Sequence, residues 1–231
     1  MKKIAILQSN YIPWKGYFDL INMVDEFILY DDMQYTRRDW RNRNKIKTPN
    51  GLVWLTIPVE VKGKYFQKIN ETKVNEKDWA KKHWHQIKEN YSKTKYFKDY
   101  KDIFEELYIT CDEEYLSQIN YKFITTINKI LGITTKIRLS SEFELVDGQT
   151  EKLLGICKDC DADIYISGPA AKGYFDEELA KKENIKVEWM DYSGYDKYEQ
   201  LYPPFEHGVT ILDAIFNLGP ESKKILISKR D

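Results

Sequence analysis

Thiols are scarce in this chain. Cys111, Cys157 and Cys160 are its three cysteines in 231 residues. The number is odd and the spacing matches no secreted disulfide framework. Cys157 and Cys160 form one C-x-x-C pair with no second pair, so they read as two small core residues rather than a zinc or redox site. Long apolar runs are also missing. None approaches the about 18 residues that a membrane span needs. The start, MKKIAILQSN, lacks the longer apolar core and small-residue cleavage site of a signal peptide. The expectation is a cytoplasmic globular protein. Strong net charge is absent too: the formal value is -1, which argues against bulk attraction to nucleic acid. There is no Gly-rich P-loop and no G-x-G-x-x-G, and no metal-ligand spacing among the three histidines. No cofactor motif, internal repeat or low-complexity segment stands out.

What is present is concentrated. Asp31 to Lys47, DDMQYTRRDWRNRNKIK, holds three carboxylates, three side-chain amides and six cations, with Tyr35 and Trp40 among them. It follows the apolar run Phe27–Tyr30, which reads as a buried strand. Polar clusters at strand ends are where ligands bind in open α/β sheets. The stretch therefore reads as the mouth of a site for an anionic small molecule, or as a charged surface. Guanidinium groups fit phosphate oxygens in a fork geometry, so Arg37, Arg38, Arg41 and Arg43 are candidates to grip a diphosphate. On an extended segment Arg41 and Arg43 share a face and Asn42 points away.

The pattern along the chain is α/β. Lys3–Leu7 reads as a strand, Gly16–Val24 as a helix and Glu26–Tyr30 as a strand. That is a β-α-β start with a right-handed crossover. It brings Gln8, Asn10, Tyr11 and Trp14 to face Asp31, Gln34 and the arginines. Asn50-Gly51 signals a hairpin. Trp79, His83, Ile87 and Tyr91 recur at helical spacing. Further helices over 97–108 and 112–131 complete a helical block, about 75–132, inserted into the α/β chain. Alternating strands and helices then resume to Trp189. The expected fold is a single α/β domain over 1–231, a three-layer, mostly parallel sheet with that helical insertion. The aromatic loop 191–208, with Tyr192, Tyr195, Tyr198 and His207, is a possible lid. Thr210 and Asp213 fit a capping box opening the last helix, 211–218.

His83 sits on an apolar stripe, where a lone histidine is a packing residue or a general base of near-neutral pKa. His207 is a second acid/base or part of a turn. No Ser/His/Asp arrangement is legible.

QSNYIPWKGYFDLI, YDDMQYTRRDWRNRNKI and WLTIPV together resemble the WbqC-like family of bacterial proteins. Trp79 with His83, the SGPAAKGYF segment at Ser167 and the closing HGVTILDAIFNLG also fit. The resemblance covers nearly the whole chain. Members occur among genes for surface polysaccharide and O-antigen assembly, so it implies a part in building or modifying a sugar. The particular implication is transfer of an acyl or aminoacyl group, glycine being one candidate, to the amine of a dTDP- or UDP-linked deoxyamino sugar. The resemblance implies Gln8, Tyr11, Asp31, Gln34, Tyr35, Arg41, Arg43 and His83 as site positions. In that reading Arg41 and Arg43 hold the pyrophosphate, and Tyr11, Trp14 or Tyr35 stacks on base or sugar. Asp31 orients the amine, His83 takes its proton, and Gln34 or a backbone N–H stabilises the oxyanion. Asn10, Arg37 and His207 are further binding candidates. The donor is unknown, and a charged tRNA is one option. Two other readings stay open. One is an accessory protein that binds a nucleotide sugar or glycan without turnover. The other is a single-stranded RNA binder that uses the same basic and aromatic residues.

Overall fold

A computed structural model describes residues 1–229. In chain order the elements are β1 (Lys3–Leu7), α1 (Lys15–Asn22), β2 (Glu26–Leu29), β3 (Arg43–Thr48), β4 (Gly51–Thr56), α2 (Trp79–Tyr91), α3 (Phe97–Ile109) and α4 (Leu116–Leu131). They continue with β5 (Lys136–Leu139), α5 (Gln149–Asp159), β6 (Ile164–Ser167), α6 (Glu177–Lys182), β7 (Lys186–Trp189) and α7 (Ile211–Leu218). β5, β2, β1, β6 and β7 form one five-stranded parallel sheet in that order. β3 and β4 make a separate antiparallel hairpin. The expected α/β class and its parallel sheet are what the structure has.

Alternation of side chains builds two cores from the same strands. Ala5, Phe27 and Leu29 face one cluster, which holds α1, the α2–α4 block and α7. Ile4, Ile6, Ile28 and Tyr30 face the other, against Leu153, Leu154, Ile156 and Cys157 of α5 and Ala180 of α6. The sheet is therefore the middle of three layers. Cys157 and Cys160 are buried free thiols within the second core. Gly132 ends α4 in the left-handed region at φ 65, the conformation that a glycine adopts without steric cost.

The strand order carries the functional consequence. From β1 the chain winds outward through β2 to β5, then returns to the other side of β1 for β6 and β7. The reversal lies between β1 and β6. In open parallel sheets the crevice beyond the strand ends at such a point is where ligands bind.

The loop 191–208 is held against the core by hydrogen bonds from its side chains. The Tyr195 hydroxyl donates to Asp19 at 2.7 Å and the Tyr198 hydroxyl to Asp213 at 2.7 Å. Gln200 donates to Asp213 at 2.9 Å. Its tyrosines are anchors into the core. Asp213 accordingly does not close a capping box. The Thr210 hydroxyl caps α7, while Asp213 turns inward to Tyr91, Tyr198 and Gln200. No helix among the described residues is long and apolar enough to cross a membrane.

Candidate functional site

At the reversal the structure has a cavity of about 600 Å³, within the usual size of small-ligand sites. Gln8 enters from the end of β1, Ser167 and Gly168 from the end of β6, and Gly148, Gln149 and Lys152 from the start of α5. Tyr30, Tyr165, Tyr174 and Met33 supply apolar and aromatic wall. Arg41 and Lys152 are the charged residues of the lining, and no carboxylate joins them. Gly148 caps α5 with no side-chain hydrogen bond, so backbone N–H groups and the positive end of the helix dipole lie at the same rim. Glu151 folds back against Gly148, so an anion there competes with that carboxylate. Burial pushes the Tyr30 hydroxyl up to about 12, which keeps it a neutral hydrogen-bonding group. The lining thus combines two cationic side chains and a helix N-terminus with aromatic rings.

Arg41 is held by several elements. Its guanidinium donates to Asn10 Oδ1 and lies 3.6 Å from the Asp39 carboxylate. Its carbonyl accepts from Asn120 of α4 at 2.9 Å, and the same amide donates to Ser9 Oγ at 2.9 Å. Asn120 thus ties the loop after β1 to the loop carrying Arg41. Asp31 lies at the end of β2, immediately after the lining residue Tyr30. Its Oδ1 accepts from the Ser9 backbone N–H at 2.8 Å, and its Oδ2 is buried without a partner. Burial raises the Asp31 carboxyl above its ordinary pKa, with Ser9 and Arg41 pulling the other way. A buried carboxylate oxygen left open is costly.

The WbqC-like protein family model matches residues 8–225. The chain belongs to this family. It is also 50% identical over 226 residues to the uncharacterized protein Rv1507c of Mycobacterium tuberculosis (strain ATCC 25618 / H37Rv), covering 98% of each chain. No solved structure matches it. Three segments that carry the WbqC-like resemblance meet in the cavity: Gln8 from the first, Tyr30, Met33 and Arg41 from the second, and Ser167, Gly168, Ala170, Ala171 and Tyr174 from SGPAAKGYF.

The other expected site residues of this WbqC-like chain are distributed more widely. Asn10 and Trp14 line a second cavity of about 340 Å³ with Pro13, Trp40, Asn44 and Gly208. The Arg41–Asn10 hydrogen bond links the two. Gln34, Tyr35 and Arg37 surround a third, smaller hollow of about 220 Å³. There Gln34 donates to the Tyr65 carbonyl at 2.9 Å and Arg37 to that of Val61 at 2.8 Å. Arg43 leaves Arg41's surroundings and stacks 4.1 Å from the Trp54 ring. The two arginines separate because β3 begins only at Arg43, so the extended spacing does not reach back to Arg41. His207 Nδ1 accepts from the Lys15 ammonium at 2.8 Å, and burial, with the Lys15 charge beside it, lowers its pKa.

Tyr11 and His83 lie in the core. Tyr11 is fully buried, with its hydroxyl 2.9 Å from His83 Nδ1 and 2.7 Å from the Tyr108 hydroxyl. His83 Nε2 meets the Thr56 carbonyl at 3.2 Å, so that nitrogen carries the proton and Nδ1 accepts from Tyr11. Both ring nitrogens are engaged within the fold. Burial lowers the His83 pKa from 6.5 to about 4. The unfolded chain therefore binds a proton between those values that the native chain does not. Stability is full above pH 6.5 and falls as pH drops toward 4, by roughly 3 kcal/mol from this group. Urea denaturation across that range should show the loss, and His83→Gln should flatten it. An unchanged slope in the variant would place the pH dependence elsewhere.

Lys152, Tyr30, Tyr165, Ser167 and Tyr174 were not among the expected residues. Their signal was weak: Gly148 opening a helix, and Ser167-Gly168 ending a strand. Their meeting depends on strand order, which periodicity does not give.

Proposed function

We propose that the switch-point cavity binds a nucleotide-linked deoxyamino sugar and that the protein transfers an acyl or aminoacyl group to the sugar amine. The observation that carries this reading is the lining itself. Its two charged groups are both cations, beside the N-terminus of α5 and an aromatic wall. That combination suits a diphosphate joined to rings. Arg41, Lys152 and the first turn of α5 hold the diphosphate. Tyr30, Tyr165 or Tyr174 packs on base or sugar. Family membership supports a setting in sugar assembly.

The sugar ammonium loses a proton before its nitrogen attacks the donor's acyl carbon. The new C–N bond replaces the donor's C–O or C–S bond, and the leaving oxygen or sulfur takes up a proton. Asp31 is the proton acceptor in this scheme. Asp31 adjoins the lining residue Tyr30 without lining the cavity itself, so the amine reaches past Tyr30 to its unpartnered Oδ2, and its raised pKa favours proton uptake. Gln8 or a backbone N–H at Gly168 stabilises the oxyanion. His83, engaged on both nitrogens, supports the loop through Tyr11 and carries no proton to substrate.

Isothermal titration with a dTDP-linked deoxyamino sugar tests binding. Arg41→Ala should weaken it about 10- to 150-fold, since hydrogen bonds to charged groups contribute about 1.5–3 kcal/mol. Unchanged affinity would remove Arg41 from the site. Mass spectrometry of the sugar after incubation with acyl-CoA, glycine plus ATP, or glycyl-tRNA tests transfer. The absence of a histidine from the cavity lining favours a second reading, a nucleotide-sugar-binding protein without turnover. Binding with no product from any donor would decide for it.

A further inference from the structure

The hairpin β3–β4 presents an unusual face. Trp40, Leu52 and Trp54 are each 39–40% exposed. The Trp40 and Trp54 rings lie 5.3 Å apart between centroids. Cations are threaded through them. Arg43 lies 4.1 Å from the Trp54 centroid, and Lys45 lies 5.0 Å from Trp54 and 5.7 Å from Trp40. The neighbouring carboxylate, Asp39, is already occupied by Thr36 and the Trp40 N–H. Trp40 also lines the second cavity, beside Trp14, Asn10 and Asn44. The platform therefore runs into a pocket, and that pocket meets the switch-point cavity at the Arg41–Asn10 hydrogen bond.

We infer that this face is a binding site for single-stranded RNA, with the terminal nucleotide seated in the Trp14–Trp40 cavity. Exposed tryptophans stack on bases of any sequence, and cations beside them meet the backbone phosphates. A purely apolar contact with a second protein copy would gain nothing from Arg43 and Lys45, which it would have to desolvate. The formal net charge of -1 speaks only to bulk attraction. The cations here are local and ordered by the rings.

The role of this site rests on the acyl-transfer reading. An aminoacyl ester at the end of such a strand is delivered to the wall shared by the two cavities. There the sugar amine attacks the ester carbonyl, a C–N bond forms, the ester C–O bond breaks, and the terminal ribose hydroxyl leaves with the amine's proton. The products are an amide and an uncharged RNA end.

Binding is measured without any sugar substrate. The probe is a fluorescein-labelled single-stranded RNA of about ten nucleotides, within the ~4–16 nucleotides such platforms cover. Fluorescence anisotropy should show saturable binding that weakens with salt. Trp54→Ala and Trp40→Ala should each lower affinity by about 5- to 150-fold, and Trp54→Phe should restore part of it. Arg43→Ala should shallow the salt dependence. Circular dichroism and thermal melts of each variant check that it is folded. No saturable binding at low salt, or equal binding by folded Trp54→Ala, overturns the inference. So does light scattering that shows a wild-type dimer, dissociated by Trp54→Ala, with no RNA bound. If RNA fails to bind while an acyl-CoA yields acylated sugar, this inference fails and the proposed function stands.

Discussion

Asp31→Asn is expected to lower kcat for amide formation by about 100- to 10,000-fold, the span that one positioned proton acceptor contributes. Affinity for the nucleotide sugar should stay within a few-fold of wild type. The substitution is nearly isosteric. Its Oδ1 still accepts from the Ser9 backbone N–H, the bond that Asp31 makes at 2.8 Å. What it loses is the open oxygen, Oδ2, and the capacity to take a proton. In the proposed binding mode the diphosphate is held by Arg41 and Lys152, which line the cavity and which the change leaves in place. Titration calorimetry and product formation measured on the same preparation separate the two effects. Full turnover by Asp31→Asn would exclude Asp31 as the base. Equal loss of affinity and turnover would instead make it a binding group. Thermal melts check the fold, since the two N–H groups of the asparagine amide need acceptors at a buried position.

The stretch Asp31–Lys47 was legible as a site wall because its residue types are unusual together, and one strand end precedes it. Arg41 and Gln8 could be placed near one another from the β-α-β start alone. The structure separates what sequence spacing grouped. Arg41 faces the cavity, Arg43 joins the hairpin platform, and Gln34, Tyr35 and Arg37 close a different hollow. Side-chain direction depends on where β3 begins, and that is fixed by the register with β4, Arg43 opposite Thr56. The opposite wall was less visible. Lys152 and Tyr174 come from segments more than a hundred residues away from Gln8, and only the return of the chain to the far side of β1 brings them there. His83 was ambiguous for a related reason. A helical stripe identifies the face that is buried, yet not what it is buried against. Here it meets Tyr11, Tyr108 and the Thr56 carbonyl, and the histidine becomes neutral scaffold.

Phe216→Ala is expected to cost about 3–5 kcal/mol, the range for deleting a buried phenyl ring. That is a large share of the about 5–15 kcal/mol by which domains are stable. Phe216 is fully buried on α7. Its ring lies 5.5 Å from Tyr91 at the end of α2, and 5.1 and 5.3 Å from Phe97 and Phe104 of α3. Its carbonyl accepts from the Tyr96 N–H at 3.0 Å. The inserted helical block and the C-terminal helix are thus joined through one ring. Two helix turns of α7 also carry Asp213, which holds Tyr91 and the strap residues Tyr198 and Gln200. Urea midpoints should fall with little change in slope, and Phe216→Leu should recover part of the loss by refilling the space. The cavity lining comes from β1, β6, α5 and the loops after β1, β2 and β6, and none of its residues is among the ring partners of Phe216. The folded fraction of Phe216→Ala should therefore bind the nucleotide sugar as wild type does. Weaker binding by protein shown to be folded would mean that α7, through Tyr91 and its bond to the Lys47 N–H on β3, sets the position of the loop that carries Arg41.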